Sequence, residues 1–210
     1  MRELSRRGLL GPEDGWSLAP VAAWLAIEGR RIADPAELAN SLMARLDDAG
    51  AGIDRISISS STLHPQMLAW GIRWSRVHGS QLWTGGHASV TTDAYIGSPA
   101  QYVRERNLSF RSRLTALREN DHVLLHELRA EGLTDYAAVP MVFGNGSVNL
   151  FTLATARPEG FSDADLDRFE ALANLIAPIF EIIERRRMTL GLLDAFVGPR
   201  ISARILEGQV

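Results

Sequence analysis

Phe161-Ser162-Asp163-Ala164-Asp165-Leu166 opens a run that reads as one long helix as far as Gly208. Ser162 is an N-cap residue, Asp165 stands at N3 as the second half of a shortened capping box, and Phe161 and Leu166 take the N′ and N4 staple positions. Inside the helix, Phe169, Leu172, Ile176, Ile179, Ile183, Leu190 and Leu193 recur at a three–four spacing, the a/d seam of a parallel coiled coil. Arg186 is the polar member of that register and weakens the seam locally. The pattern predicts a parallel homodimer joined through residues 161–210, a folded domain over 16–160, and a flexible lead-in over 1–15.

Upstream, the chain alternates helix and strand signals. A helix is expected over Leu18–Ile32, with Pro20 in its first turn. Asp34-Pro35-Ala36-Glu37 restarts a second helix, with Asp34 as cap and Pro35 at N1, and Leu38, Leu42 and Leu46 form its apolar stripe. Asp54–Ser60 and Met67–Val77 alternate as strands; Ile56 and Ile58 share a face, as do Trp70, Ile72 and Trp74. Gln81–Val90 reads as a third strand or loop-strand, Pro99–Arg106 as a short helix, Leu108–Leu114 as a short strand, and Asp121–Glu131 as a helix stopped by Gly132. Thr134–Phe143 and Ser147–Ala156 flank Gly144-Asn145-Gly146, and Asn-Gly is a strong hairpin signal. This order predicts an α+β fold of the GAF/PAS type: a central antiparallel sheet, helices packed on one side, and a long C-terminal signalling helix.

Composition removes whole classes of chemistry. The absence of cysteine excludes disulfides, thiolate metal sites and thioether-linked chromophores. All 22 basic residues are Arg, so Schiff-base chemistry on lysine is absent. A net charge of −3 and pI near 6.0 give no general affinity for nucleic acid or anionic membrane. No apolar run reaches the roughly 18 to 20 residues of a membrane span, and Met1–Arg7 lacks the apolar stretch of a signal peptide. A cytoplasmic protein is expected.

Candidate site residues follow from residue type. Trp70, Trp74, Trp83, Tyr95, Tyr102, Phe110 and Tyr136 could line an aromatic pocket, with Arg73, Arg104, Arg106, Arg111 and Arg113 near in sequence. An inward Arg would favour an anionic ligand. The expected ligand set is His64, Trp70, Trp74, Arg111 and Tyr136. His64, in a turn before Pro65, is also the candidate haem or chromophore ligand. His122 and His126 stand four apart but lack a third ligand and the HExxH glutamate, so no metal site is assigned. Ser59-Ser60-Ser61 is not a nucleophile elbow, and no Walker or Rossmann glycine pattern occurs. No catalytic residue and no cofactor is assigned; an unknown small molecule is the expected ligand.

Several stretches carry a resemblance. They are Glu28-Gly29-Arg30-Arg31-Ile32-Ala33-Asp34-Pro35, Thr62-Leu63-His64-Pro65, Leu128-Arg129-Ala130-Glu131-Gly132-Leu133-Thr134-Asp135-Tyr136, Gly160–Leu166, and Thr189–Arg200 continuing through Arg204–Gly208. In this order they resemble the N-terminal regulatory region of bacterial class III adenylate/guanylate cyclases. The resemblance implies a GAF-like sensor whose long helix leads into a cyclase catalytic domain acting as a dimer. The aspartates and the Asn/Arg pair of that catalytic domain have no counterpart in this chain. Rival readings are a haem or small-molecule sensor using His64, a small hydrolase using His64 or the His122/His126 pair, and a ligand-free structural dimeriser.

Overall fold

The structure, a computed structural model, describes residues 15–64, 67–85 and 95–198. Helices α1 (Ala19–Ile27) and α2 (Pro35–Asp48) precede strands β1 (Arg55–His64), β2 (Met67–Ser75) and β3 (Gly79–Gly85). Then come α3 (Pro99–Arg106), β4 (Phe110–Arg113), α4 (Val123–Ala130), β5 (Asp135–Val142), β6 (Val148–Thr155) and α5 (Asp163–Val197). The strands form one antiparallel sheet in the order β3-β2-β1-β6-β5-β4.

Local chemistry sets the boundaries. Asp34 Oδ1 accepts from the amides of Ala36 and Glu37, at 2.9 and 2.8 Å, and starts α2. At Ser162 the capping box closes in both directions: Asp165 N–H donates to Ser162 Oγ (3.1 Å) and Ser162 N–H donates to Asp165 Oδ2 (2.8 Å). The β5–β6 connection differs in type from a two-residue Asn-Gly turn. Gly146 N–H donates to the Phe143 carbonyl (2.9 Å) and Gly146 takes the positive φ of +82°. Asn145 keeps a negative φ and its side chain accepts from Ser147 N–H instead (2.9 Å). This is a three-residue loop with glycine in the left-handed position.

Helices cover both faces of the sheet, not one as expected. On the inner face, α1, α2 and α5 bury Leu38, Leu42, Leu46, Phe169, Leu172, Ile176 and Phe180 against Ile56, Ile58, Trp70, Val139 and Phe151. On the outer face, α3 and α4 bury Val103, Leu125 and Leu128 against Tyr136, Ala138, Leu150 and Ala154. The reason lies in β5 and β6, which are apolar on both sides and must be covered twice.

The seam expectation is corrected on the same ground. Phe169, Leu172, Ile176, Ile179 and Ile183 are buried within this chain's own inner core. They cannot serve as knobs for a partner helix without leaving the sheet. Leu190 and Leu193 are half-exposed, and Arg186 is exposed. The boundary expected at 160/161 therefore divides residues that share one core. The long helix, expected to reach Gly208, ends at Val197, with Gly198 at a positive φ of +82°; residues 1–14 of the lead-in expected over 1–15, and residues 199–210, lie outside the described residues.

Candidate functional site

Alternation along β2 decides which side chains can meet. Trp70, Ile72 and Trp74 point to the inner, helical layer; Gly71 and Arg73 point to the outer face. Trp70 is buried and stacks on Phe180, with ring centroids 4.9 Å apart and planes at 14°. The Arg187 guanidinium lies 4.5 Å from the same indole. Trp74 packs at the edge of the inner core with Arg76 beside it. Arg111 is also committed elsewhere: it pairs with buried Asp135 (2.8 Å), reaches Asp163 (3.4 Å) and donates to the Phe161 carbonyl. Of the four whose side chains are described, Tyr136 alone faces outward, where it is buried between α3 and α4. The His64 side chain lies outside the described ones. Trp70, Trp74, Arg111 and Tyr136 thus do not converge on one pocket. Residue type suggested the set; strand phase separates it.

The outer face divides into two halves. Over β4, β5 and β6 it is apolar and covered, with Tyr102, Phe110 and Tyr136 in edge-to-face contact. Over β1, β2 and β3 it is polar. Register places Arg73 opposite Ser57 and Gln81, and Gly71 opposite Ser59 and Trp83. Thr152 continues the Arg73 row into β6 through Ser57. The Trp83 indole lies over Gly71: a Cβ built there would stand 2.9 Å from the ring and 2.4 Å from the Ile58 carbonyl oxygen. Trp83 Nε1 is buried and has no hydrogen-bond partner among the described residues.

Two guanidinia, Arg55 and Arg73, and two carboxylates, Glu131 and Glu127, act on one another on this half. Arg55 is paired with Glu131. Arg73 has no ion pair among the described residues. Arg73 is exposed on this face; partial desolvation of its guanidinium and then the neighbouring Arg55 push it below the ordinary value, while Glu131 and Glu127 pull the other way, and it remains a cation. Burial pushes the Tyr136 phenol up, with Thr152 hydrogen-bonded to it, so it is neutral. Among the described residues the half-face therefore offers a guanidinium without a carboxylate of its own, an indole N–H without an acceptor, and a glycine floor. Arg73 and Trp83 belonged to the wider aromatic–arginine pool of the sequence; strand phase sets Arg73 opposite to Trp70, and only the β2–β3 register, which pairs Gly71 with Trp83, brings Trp83 to the same face.

Two other clusters are structural. At the start of α5, Asp165 accepts from the Trp16 indole (2.7 Å), Arg168 (3.0 Å) and Arg157 (3.2 Å). Burial raises its pKa, but Ser162, Trp16 and Arg157 outweigh that and hold it below the usual carboxylate range. His122 caps α4 through Nδ1, which accepts from Leu124 N–H at 3.2 Å, and His126 Nδ1 faces Arg129 at 3.2 Å. Among the described residues no three metal-ligating side chains stand together, and no helix is long and apolar enough to cross a membrane.

The chain superposes on the phycocyanobilin-bound GAF domain from a cyanobacterial phytochrome with a TM-score of 0.55 at 11% identity, over 83% of this chain and 98% of that one. A phycoerythrobilin-bound GAF domain from a cyanobacterial phytochrome gives a TM-score of 0.54 at 12% identity, over 83% of this chain and 100% of that one. The fold is GAF-like. No known family matches the sequence, and no curated protein does. The GAF-like domain of this chain thus consists of the six-stranded sheet, the inner layer of α1, α2 and α5, and the outer layer of α3 and α4.

Proposed function

We propose that this GAF-like chain is the cytoplasmic regulatory sensor region of a bacterial adenylate cyclase, dimeric in the assembled enzyme, and that it binds a small anionic molecule on the polar half of its outer sheet face. The observation that carries the sensor reading is the double membership of α5. From Phe169 to Ile183 it is part of the domain core, and the same helix then continues to Val197 with Leu190 and Leu193 half-exposed. A change in sheet packing has a rigid element through which to travel. The cyclase assignment rests on the sequence resemblance, and the anion on Arg73 and the Trp83 N–H. The GAF domains it superposes on hold bilins; without cysteine this chain has no thioether attachment for one.

Thermal unfolding with a panel of phosphate- and carboxylate-bearing metabolites tests the ligand site. A binder at a hundred times its Kd stabilises by about 2.7 kcal/mol, and that gain is expected to vanish in Arg73→Ala. A panel that shifts neither protein, or both equally, overturns the site. For the output, the whole chain is joined to an adenylate cyclase catalytic domain and cAMP formation is measured with and without the binder. An unchanged rate sinks the regulatory reading.

A further inference from the structure

The pairings that hold the start of α5 also wall a cavity of about 680 Å³. It lies between that end of the helix, Gly50 just after α2, and Arg113 at the end of β4. It shares no residue with the polar half of the outer face. Three guanidinia line it, those of Arg113, Arg157 and Arg168, with two carboxylates, Glu159 and Asp165.

Two of these cations are second claimants on a carboxylate. Asp165 lies 3.0 Å from Arg168 and 3.2 Å from Arg157. Asp135, just behind the wall, lies 2.8 Å from Arg111 and 3.4 Å from Arg113. Glu159 approaches Arg157 only to 4.0 Å and is exposed, where water and salt screen it. An arginine does not shed its proton to relieve such a shortage. Donors are left over as well. Arg157 Nε is buried and has no hydrogen-bond acceptor among the described residues. Arg113 is exposed, its contact with Asp135 is the approach of Nε, and its terminal nitrogens make no hydrogen bond among the described residues.

Both side chains rest on glycine. A Cβ on Gly160 would stand 2.4 Å from Arg113 Nη1, and one on Gly52 would stand 2.8 Å from Arg157 Cδ. Each glycine also has a positive φ, +67° and +63°, so neither seat accepts a side chain. Two guanidinium forks are thereby held at the wall of one cavity. A carboxylate has oxygens for one fork; a phosphate has three oxygens and enough charge for two.

We infer that this cavity binds a small phosphate monoester, as the dianion, between Arg113 and Arg157. Arg113 ends the edge strand β4, and Arg157 lies in the connection from β6 to α5. The bound phosphate therefore ties the edge of the sheet to the start of the long helix.

The test uses the full chain at constant ionic strength, above the second ionisation of phosphate, with inorganic phosphate, glycerol phosphate and acetate as probes. In arginine Nε–H NMR, the Arg157 signal is expected to shift saturably with both phosphates and to respond to acetate only at far higher concentration. Arg113→Gln is expected to weaken phosphate binding about tenfold or more, as for a lost charge-assisted hydrogen bond. Glu159→Gln, at an exposed position, carries the opposite sign: removal of the competing carboxylate is expected to tighten binding about two- to fivefold. No saturable shift, or no tightening in Glu159→Gln, overturns the site. Acetate binding as well as phosphate would overturn the dianion, and inorganic phosphate binding without glycerol phosphate would overturn the monoester. Loss of binding in Arg73→Ala but not in Arg113→Gln would move the phosphate to the outer face and refute the inference.

Discussion

Trp70 and Phe180 stack face to face, 4.9 Å between centroids, and this contact makes α5 part of the domain and not an appendage to it. Phe180→Ala removes the stacked partner of a buried indole and leaves a cavity under the sheet. The expected loss is about 3–5 kcal/mol, read as a drop in the urea midpoint. Because the contact is intramolecular, the loss is expected to be independent of protein concentration; a concentration-dependent loss would place Phe180 between chains.

The seam and the core have the same signature, which is why the sequence could not separate them. An ideal helix drifts only about 20° per heptad from a 3.5-residue repeat. Over the two heptads from Phe169 to Ile183, a helix lying on a sheet and a coiled-coil strand therefore read alike. Other features were legible because their physics is local: the Asp34-Pro35 start, the Ser162/Asp165 box, and the phases of Ile56 and Ile58. The second helical layer was not, because β5 and β6 reveal their two apolar faces only once their neighbours are known. The candidate site suffered most. Strand phase separates Arg73 from Trp70, but no local rule says which phase faces the polar half of the outer sheet face.

Asp165 makes the start of α5 sensitive to acid. Its pKa is depressed, so its contribution is fully present above the ordinary aspartate value of about 3.9 and is lost as pH falls through the lower folded-state value. Asp165→Asn breaks a buried pairing with Arg168 and Arg157 and is expected to lose about 3 kcal/mol at neutral pH. Denaturant midpoints measured from pH 7 to about pH 3, across the aspartate range, should fall less steeply in the variant than in the wild type. Equal slopes would remove Asp165 from the acid response.

Gly71 is required by the indole above it. Gly71→Ala places a methyl 2.9 Å from the Trp83 ring and 2.4 Å from a backbone oxygen of β1. Displacing the ring and straining the strand should lose about 1–3 kcal/mol and change tryptophan emission. The same variant is expected to weaken whatever anion stabilises the wild type, because Trp83 Nε1 moves with its ring. Arg73→Ala, by contrast, should stay within about 0.5 kcal/mol of wild type without ligand, since its guanidinium is exposed and pairs with no carboxylate among the described residues. A variant that removes binding at little loss of stability separates the site from the scaffold.

Dimerisation, if carried by α5, must use what the sheet leaves uncovered. Leu190 and Leu193 lie past the buried segment and keep the three-residue step of the seam. Ile182, on the outward side of the helix, is 65% exposed. The double variant Leu190→Glu/Leu193→Glu is expected to shift the chain from dimer to monomer in light scattering at micromolar concentration, while its unfolding midpoint, extrapolated to low concentration, stays put. Ile179→Ala should do the opposite. It removes a buried side chain from the inner core, so the domain itself loses about 2–5 kcal/mol and association is affected only through unfolding. If Leu190→Glu/Leu193→Glu leaves a dimer intact, the interface lies on another surface, and Ile182→Glu becomes the discriminating variant.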